Sequence, residues 1–130
     1  TTKKAYVLAT KEAENNYILT RKFRVMFLRV DRFDARKAAS RLAIYLQEKR
    51  DLFGDDVLSR RITEEDLYRD TDREALLSGF CCLTGETDTA GRLVMFFRRN
   101  VFFGLDVRSM VRVLFYLCQL VLENNEEVQK

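Results

Sequence analysis

Few side chains in this sequence are able to do covalent chemistry. Cys81, Cys82 and Cys118 are its only thiols, and it contains no His. A thiol becomes a nucleophile at neutral pH only with a base or cation beside it. Without His, neither a Ser-His-Asp nor a Cys-His apparatus can be assembled from this chain. His-based metal sites and a histidine pH switch are excluded in the same way. Cys81 and Cys82 are adjacent in what reads as a buried strand. Two small apolar core residues is the first reading of them, and a redox pair the second. The odd cysteine count and the absence of C-x-x-C spacing do not suit a disulfide framework, so a reducing, cytoplasmic compartment is expected.

The charged residues are unevenly spread. Residues 55–91 carry ten acidic and four basic side chains, whereas residues 1–54 carry thirteen basic and six acidic ones. The acidic run has a structural explanation. Thr63-Glu64-Glu65-Asp66 and Thr71-Asp72-Arg73-Glu74 both read as capping boxes, a hydroxyl followed three residues later by an acid. Asp55-Asp56 lacks the spacing of a calcium loop, so neither a metal nor another cofactor is expected. Gly79, Gly85 and Gly91 read as turn and cap glycines, not as a phosphate cradle. With no catalytic carboxylate pair either, the chain is expected not to be an enzyme. The basic segment could face phosphates of a lipid surface or of nucleic acid, or be a solvated helix face. Nucleic acid is disfavoured, because Phe23 and Phe27 fall on the apolar helix face and do not interleave with the arginines for base stacking.

These side chains must be held by a helix-rich scaffold. The 130 residues are 47% apolar and 33% charged, with no Pro. That is a globular composition, in a length that suits one domain. Residues 1–11 read as an extended lead-in. From Glu12 the pattern turns helical, with Leu19, Phe23, Met26, Phe27 and Val30 on one face. Asp34 is a good N-cap for a helix over 34–53, with Phe33 stapling onto Ala38, a small Ala35–Ala38–Ala39 patch for close packing, and Gly54 as its stop. Residues 80–84 and 92–98 read as an antiparallel hairpin around a loop over 85–91, with Asp88 to Gly91 as a type I turn. The second strand is apolar on both faces, so cover on both sides is expected. A last helix starts at Asp106 and runs to about Asn124. Its polar residues Arg108, Arg112, Gln119 and Glu123 form one narrow arc, which reads as a thin wet stripe on a helix packed on most sides. Its longest apolar run, Val113 to Leu122, is ten residues and broken by Gln119, about half of what a membrane span needs. So much apolar surface asks for more walls than the chain supplies, and a missing C-terminal part is expected.

Three patches carry a family resemblance. Phe27-Leu28-Arg29-Val30-Asp31-Arg32-Phe33-Asp34-Ala35-Arg36-Lys37-Ala38 resembles the F-L-R-A-R-x-F-D-x-x-K-A pattern in the N-terminal helical segment of CRAL-TRIO lipid-binding proteins. Asp88-Thr89-Ala90-Gly91-Arg92-Leu93-Val94 resembles the family's D-x-x-G-R-P-V strand opening, with Leu93 in place of Pro. The helix ending Leu120-Val121-Leu122-Glu123 is similar to the one that follows it. The resemblance implies an α/β architecture: an N-terminal helical subdomain over 1–60, then over 61–130 the first hairpin and helix of a truncated lipid-binding domain.

By that resemblance the chain is a fragment of a hydrophobic-ligand carrier, for a phospholipid or an isoprenoid. It would be cytoplasmic, in transient contact with an anionic membrane surface, and would bind no nucleic acid. Val94 with Phe96, or Met95 with Phe97, would line the pocket floor, with Phe102 and Phe103 at the strand exit. Ordinary core against the helices is the alternative for each. Arg98 and Arg99 could meet a head group or be solvated strand ends. The rival function is a helical protein-interaction module with no lipid ligand.

Overall fold

The computed structural model describes residues 2–11 and 16–124. Its chain divides into two compact units, Thr1–Ile62 and Thr63–Lys130. Among the described residues the architecture is helix-rich, with one two-stranded antiparallel sheet.

In the first unit, the segment expected to be extended is a helix, α1 (Thr2–Ala9). Ala5 and Ala9, one turn apart, are fully buried in the core shared with Leu42 and Leu46. Two alanines leave no recognisable apolar stripe, yet they allow close helix packing. Glu12, the expected helix start, lies outside the described residues. Asn16 carries the chain onward: its side-chain amide donates to the Ala9 carbonyl and its oxygen accepts from the Ile18 N–H at 3.0 Å. After a 3₁₀ turn, Tyr17–Leu19, the Thr20 hydroxyl accepts from the Phe23 N–H and opens α2 (Arg21–Val30). Phe23 is buried, with Tyr17 and Phe27 tilted against it at ring distances of 4.8 and 5.2 Å. Val30, on the same predicted face, is exposed instead.

Helix α2 ends in a Schellman motif. The Arg32 N–H donates to the Arg29 carbonyl at 3.2 Å and the Phe33 N–H to the Leu28 carbonyl at 2.6 Å. Both residues have left-handed backbones, with φ of 52° and 64°. Glycine usually fills such a position, because a Cβ there meets the carbonyl. Phe33 is 67% exposed, so the expected staple onto Ala38 contributes little.

Asp34 caps α3 (Ala35–Phe53) as expected, its Oδ1 accepting from the Lys37 N–H at 3.1 Å. The buried stripe is Ala38, Leu42, Leu46, Lys49 and Leu52. Ala35 and Ala39 are exposed, so only one alanine of the predicted patch is buried. Lys49 is fully buried, its Nζ donating to the Arg60 carbonyl at 2.6 Å and lying 6.0 Å from the Tyr17 ring centre. That is the requirement on a buried ammonium, a hydrogen-bond acceptor and an electron-rich face. Gly54 stops the helix at a φ of 89°.

The second unit opens on a 3₁₀ turn, Glu64–Asp66, where Asp66 Oδ2 accepts from the Thr63 N–H at 2.8 Å. The second predicted box does not form. Helix α4 (Asp70–Ser78) starts one residue before Thr71, with Arg69 at its N-cap, and the Thr71 hydroxyl is engaged elsewhere. Gly79 closes α4 in the left-handed conformation. Strands β1 (Cys81–Thr87) and β2 (Leu93–Phe97) pair antiparallel, Cys81 opposite Phe97 and Cys82 opposite Phe96. The register shifts between Leu83 and Thr87, where Gly85 has a φ of 72°. What reads as the start of a loop is thus an irregularity inside a strand. Asp88 holds the turn, its Oδ1 accepting from the N–H groups of Ala90 and Arg92, both at 2.9 Å. A 3₁₀ segment, Arg99–Gly104, leads to α5 (Val107–Asn124), capped by Asp106 through the Ser109 N–H at 2.9 Å.

Candidate functional site

The last helix turns the predicted arrangement around. Arg112 and Gln119, expected on a wet stripe, are only 5% and 6% exposed, and Ser109 beside them is fully buried. Arg108 alone of that arc is fully outward, with Glu123 half-buried. The partner that sequence could not supply is Asp72 on α4. Its Oδ1 accepts from Ser109 Oγ at 2.7 Å and from Arg112 Nε at 2.8 Å. The single Ser109 proton goes to Asp72, so the Thr71 hydroxyl, 2.8 Å away, donates to Ser109 Oγ, and Arg69 Nη1 lies 3.5 Å from Asp72 Oδ2. Burial pushes the Asp72 carboxyl up, but the Ser109 and Arg112 hydrogen bonds, with the charges of Arg112 and Arg69, outweigh it and hold it below the usual carboxylate value. The hydrogen bonds of this buried ion pair converge on Oδ1, while Oδ2 is buried with only the Arg69 charge beside it, and the pair fixes one rotation of the helix.

That rotation faces the apolar side of α5 outward. At 100° per residue, Val107, Val111, Leu114, Cys118 and Leu122 lie opposite Ser109. Val107 is 67% exposed, Cys118 and Leu122 are exposed, and Val111 and Leu114 are half-buried.

Strand β2 is also less covered than expected. Strand alternation puts Val94 and Phe96 on the face shared with Cys82, and Met95 and Phe97 on the face shared with Cys81 and Leu83. Phe96 is 56% exposed, and Val94 and Phe97 are exposed too. The two-sided cover expected for this strand is therefore not present among the described residues. The structure brings Val94 and Phe96 to one face, as the alternation requires. Phe102 instead turns back on Phe80, with ring centres 5.9 Å apart, and Phe103 points away from the packed residues, almost fully exposed. Arg98 and Arg99 are both exposed at the strand exit, where the Arg98 N–H donates to the Phe80 carbonyl at 2.8 Å.

The remaining chemical candidates stay quiet. Cys81, Cys82 and Cys118 are all free. Burial pushes the Cys81 thiol up, the opposite of what a nucleophile needs. Cys82 Sγ donates to the Gly79 carbonyl at 3.2 Å. Among the described residues no group of three or more Cys, Asp or Glu is arranged to hold a metal. An open cleft of about 420 Å³ is lined by Thr63, Glu64, Glu65 and Arg73, all polar, and includes none of the candidate residues. No helix among the described residues is long and apolar enough to cross a membrane.

Sequence reasoning missed Asp72, Ser109 and Arg112 as a set. The available signal was the pair Ser109 and Arg112, three apart in a largely apolar helix, a spacing that places them side by side. No protein-family model, curated protein or solved structure matches the chain.

Proposed function

We propose that this chain belongs to a non-enzymatic carrier of hydrophobic ligands, a phospholipid or an isoprenoid, which meets an anionic membrane surface transiently on the cytoplasmic side. The observation that carries this reading is the outward apolar face of α5, held in place by a polar lock on its inner side. Ser109, Arg112 and Gln119 are buried with Val113 while Val107, Cys118 and Leu122 are exposed, and an apolar face left outward is the reverse of what a water-facing helix needs. It suits a surface that receives something apolar. The half-exposed Val94 and Phe96 on β2 add a second such surface in the same unit. The likeness of three sequence patches to CRAL-TRIO carriers supports the ligand class.

The physical logic is exchange of one apolar environment for another. Each buried CH₂ is worth about 0.8 kcal/mol. An acyl or isoprenoid chain leaves a bilayer at little net cost only if protein walls replace that burial. The test is lipid mass spectrometry on the purified chain, together with uptake of a fluorescent phosphatidylinositol. Co-purifying or exchangeable lipid, and uptake weakened by Phe96→Asp at an already exposed site, are expected. Finding no such lipid would leave the outward face to a protein partner, the reading as a helical interaction module.

A further inference from the structure

We propose that the corner joining α2 to α3 is the site at which the chain docks on an anionic lipid surface, with Phe33 and Val30 inserting and the surrounding cations meeting head groups. The inference deepens the membrane contact proposed above and rests on it, but concerns a different unit from the ligand surface.

Four observations converge on this corner. Phe33 and Val30 are 67% and 64% exposed, while Phe23 and Phe27 of the same helix turn to the core. Phe33 is not on a loose loop. The Schellman hydrogen bonds from the N–H groups of Arg32 and Phe33 fix it outward, on two successive left-handed residues. Residues 29–41 hold five cations, Arg29, Arg32, Arg36, Lys37 and Arg41, against two carboxylates. Both carboxylates are engaged locally. Asp31 takes a fork of hydrogen bonds from Arg41 at 2.9 and 3.0 Å, and Asp34 caps α3 with Lys37 3.8 Å away.

An aromatic ring projecting from a cationic rim has the chemistry of an interfacial anchor. The ring suits the boundary between head groups and acyl chains, and the cations suit the negative surface potential. Anionic bilayer is favoured over nucleic acid because the exposed apolar pair is Phe and Val, and Val has no face on which a base can stack.

The test is sedimentation of the whole chain with vesicles of phosphatidylcholine, with and without about 30% phosphatidylserine. The wild type is expected to bind the anionic vesicles and not the neutral ones, less tightly as salt rises. Phe33→Asn, which keeps a residue that tolerates the left-handed backbone, is expected to bind about tenfold more weakly with an unchanged melting temperature. Arg36→Gln and Lys37→Gln should each cost about fivefold. Ile44→Gln, at another exposed apolar position on α3, should bind as the wild type does. If the wild type binds but F33N, R36Q and K37Q bind equally well, or I44Q loses as much as F33N, the corner is not the site, while the membrane reading survives. If the wild type binds neither vesicle, both fall. Displacement from anionic vesicles by an oligonucleotide at lower phosphate concentration overturns the inference in favour of nucleic acid.

Discussion

Asp72 shows how one residue sets what a helix offers to its surroundings. Its carboxylate has no exposed area and ties Ser109 and Arg112 to α4. Removing it with Asp72→Ala leaves the Arg112 guanidinium buried without its counter-charge, and such changes cost about 3–5 kcal/mol. Thermal unfolding should register that loss. Replacing both partners, Asp72→Leu with Arg112→Met, should recover most of it, since an apolar pair of similar size needs no counter-charge. A double variant as unstable as D72A alone would show that the pair contributes more than mutual compensation.

The same carboxylate gives stability a direction with pH. The Asp72 carboxyl is held below its ordinary value of 3.8. Asp31 is lowered by its Arg41 hydrogen bonds, and Asp88 by the backbone N–H of Arg92 and by the Arg92 side chain. A group with a depressed folded-state pKa binds fewer protons folded than unfolded in the window between the two values. Its contribution is complete above the unfolded value and is lost as pH falls through the folded one. Urea midpoints are therefore expected to be flat at neutral pH and to fall below about pH 4. D72N should remove part of that fall; a D72N profile with the wild-type slope would rule Asp72 out as a contributor.

At the scale of elements, two backbone positions invite opposite substitutions. Arg32 occupies a left-handed position usually given to glycine. Arg32→Gly should stabilise by about 1 kcal/mol, the cost of a Cβ there less the extra freedom of an unfolded glycine. Gly79 has a φ of 66°, and a Cβ there would lie 3.4 Å from Cys82 Sγ. Gly79→Ala should cost about 1 kcal/mol or more. Melting temperatures that moved both variants the same way would refute this account of the two turns.

Those turns also show why some elements were legible and others were not. The starts of α3 and α5 could be read because Asp34 and Asp106 are local signals, acting on N–H groups three residues away. The antiparallel hairpin was legible from its turn residues, Asp88 and Gly91, whose backbone bond closes at 2.9 Å. Helix α1 was not, because its buried residues are Ala5 and Ala9, too small to mark a stripe. Thr71 carried a capping signal, but its hydroxyl bonds to Ser109, 38 residues away. The inner face of α5 was misread for the same reason. Arg and Gln ordinarily seek water, and only a partner from another element reverses that. Of the candidate surface, the alternation of Val94 with Phe96 was readable, while the pairing of Phe102 with Phe80 was not.

For the whole molecule, the consequence is apolar surface left open on a folded chain. The Thr63–Lys130 unit exposes Leu77, Phe96, Phe97, Phe103 and Val107. Scattered exposed residues are ordinary, but the outward face of α5 and both faces of β2 are runs of apolar side chains. Net charge is +3, too small to keep copies apart by repulsion at physiological salt. The native chain should therefore brighten a hydrophobic dye such as anilinonaphthalene sulfonate at neutral pH, while its near-ultraviolet circular dichroism still reports fixed packing. Retained near-ultraviolet signal separates this from a molten state, which would bind dye after losing it. Its weight-average mass in sedimentation equilibrium should rise with concentration. A monomeric phospholipid that occupies the apolar face should displace the dye and lower that mass together, because one surface serves both. A clean monomer that leaves the dye dark would mean that these residues are covered in solution. It would remove the observation on which the carrier reading stands, while leaving the docking corner of the Thr1–Ile62 unit to be judged by its own vesicle test.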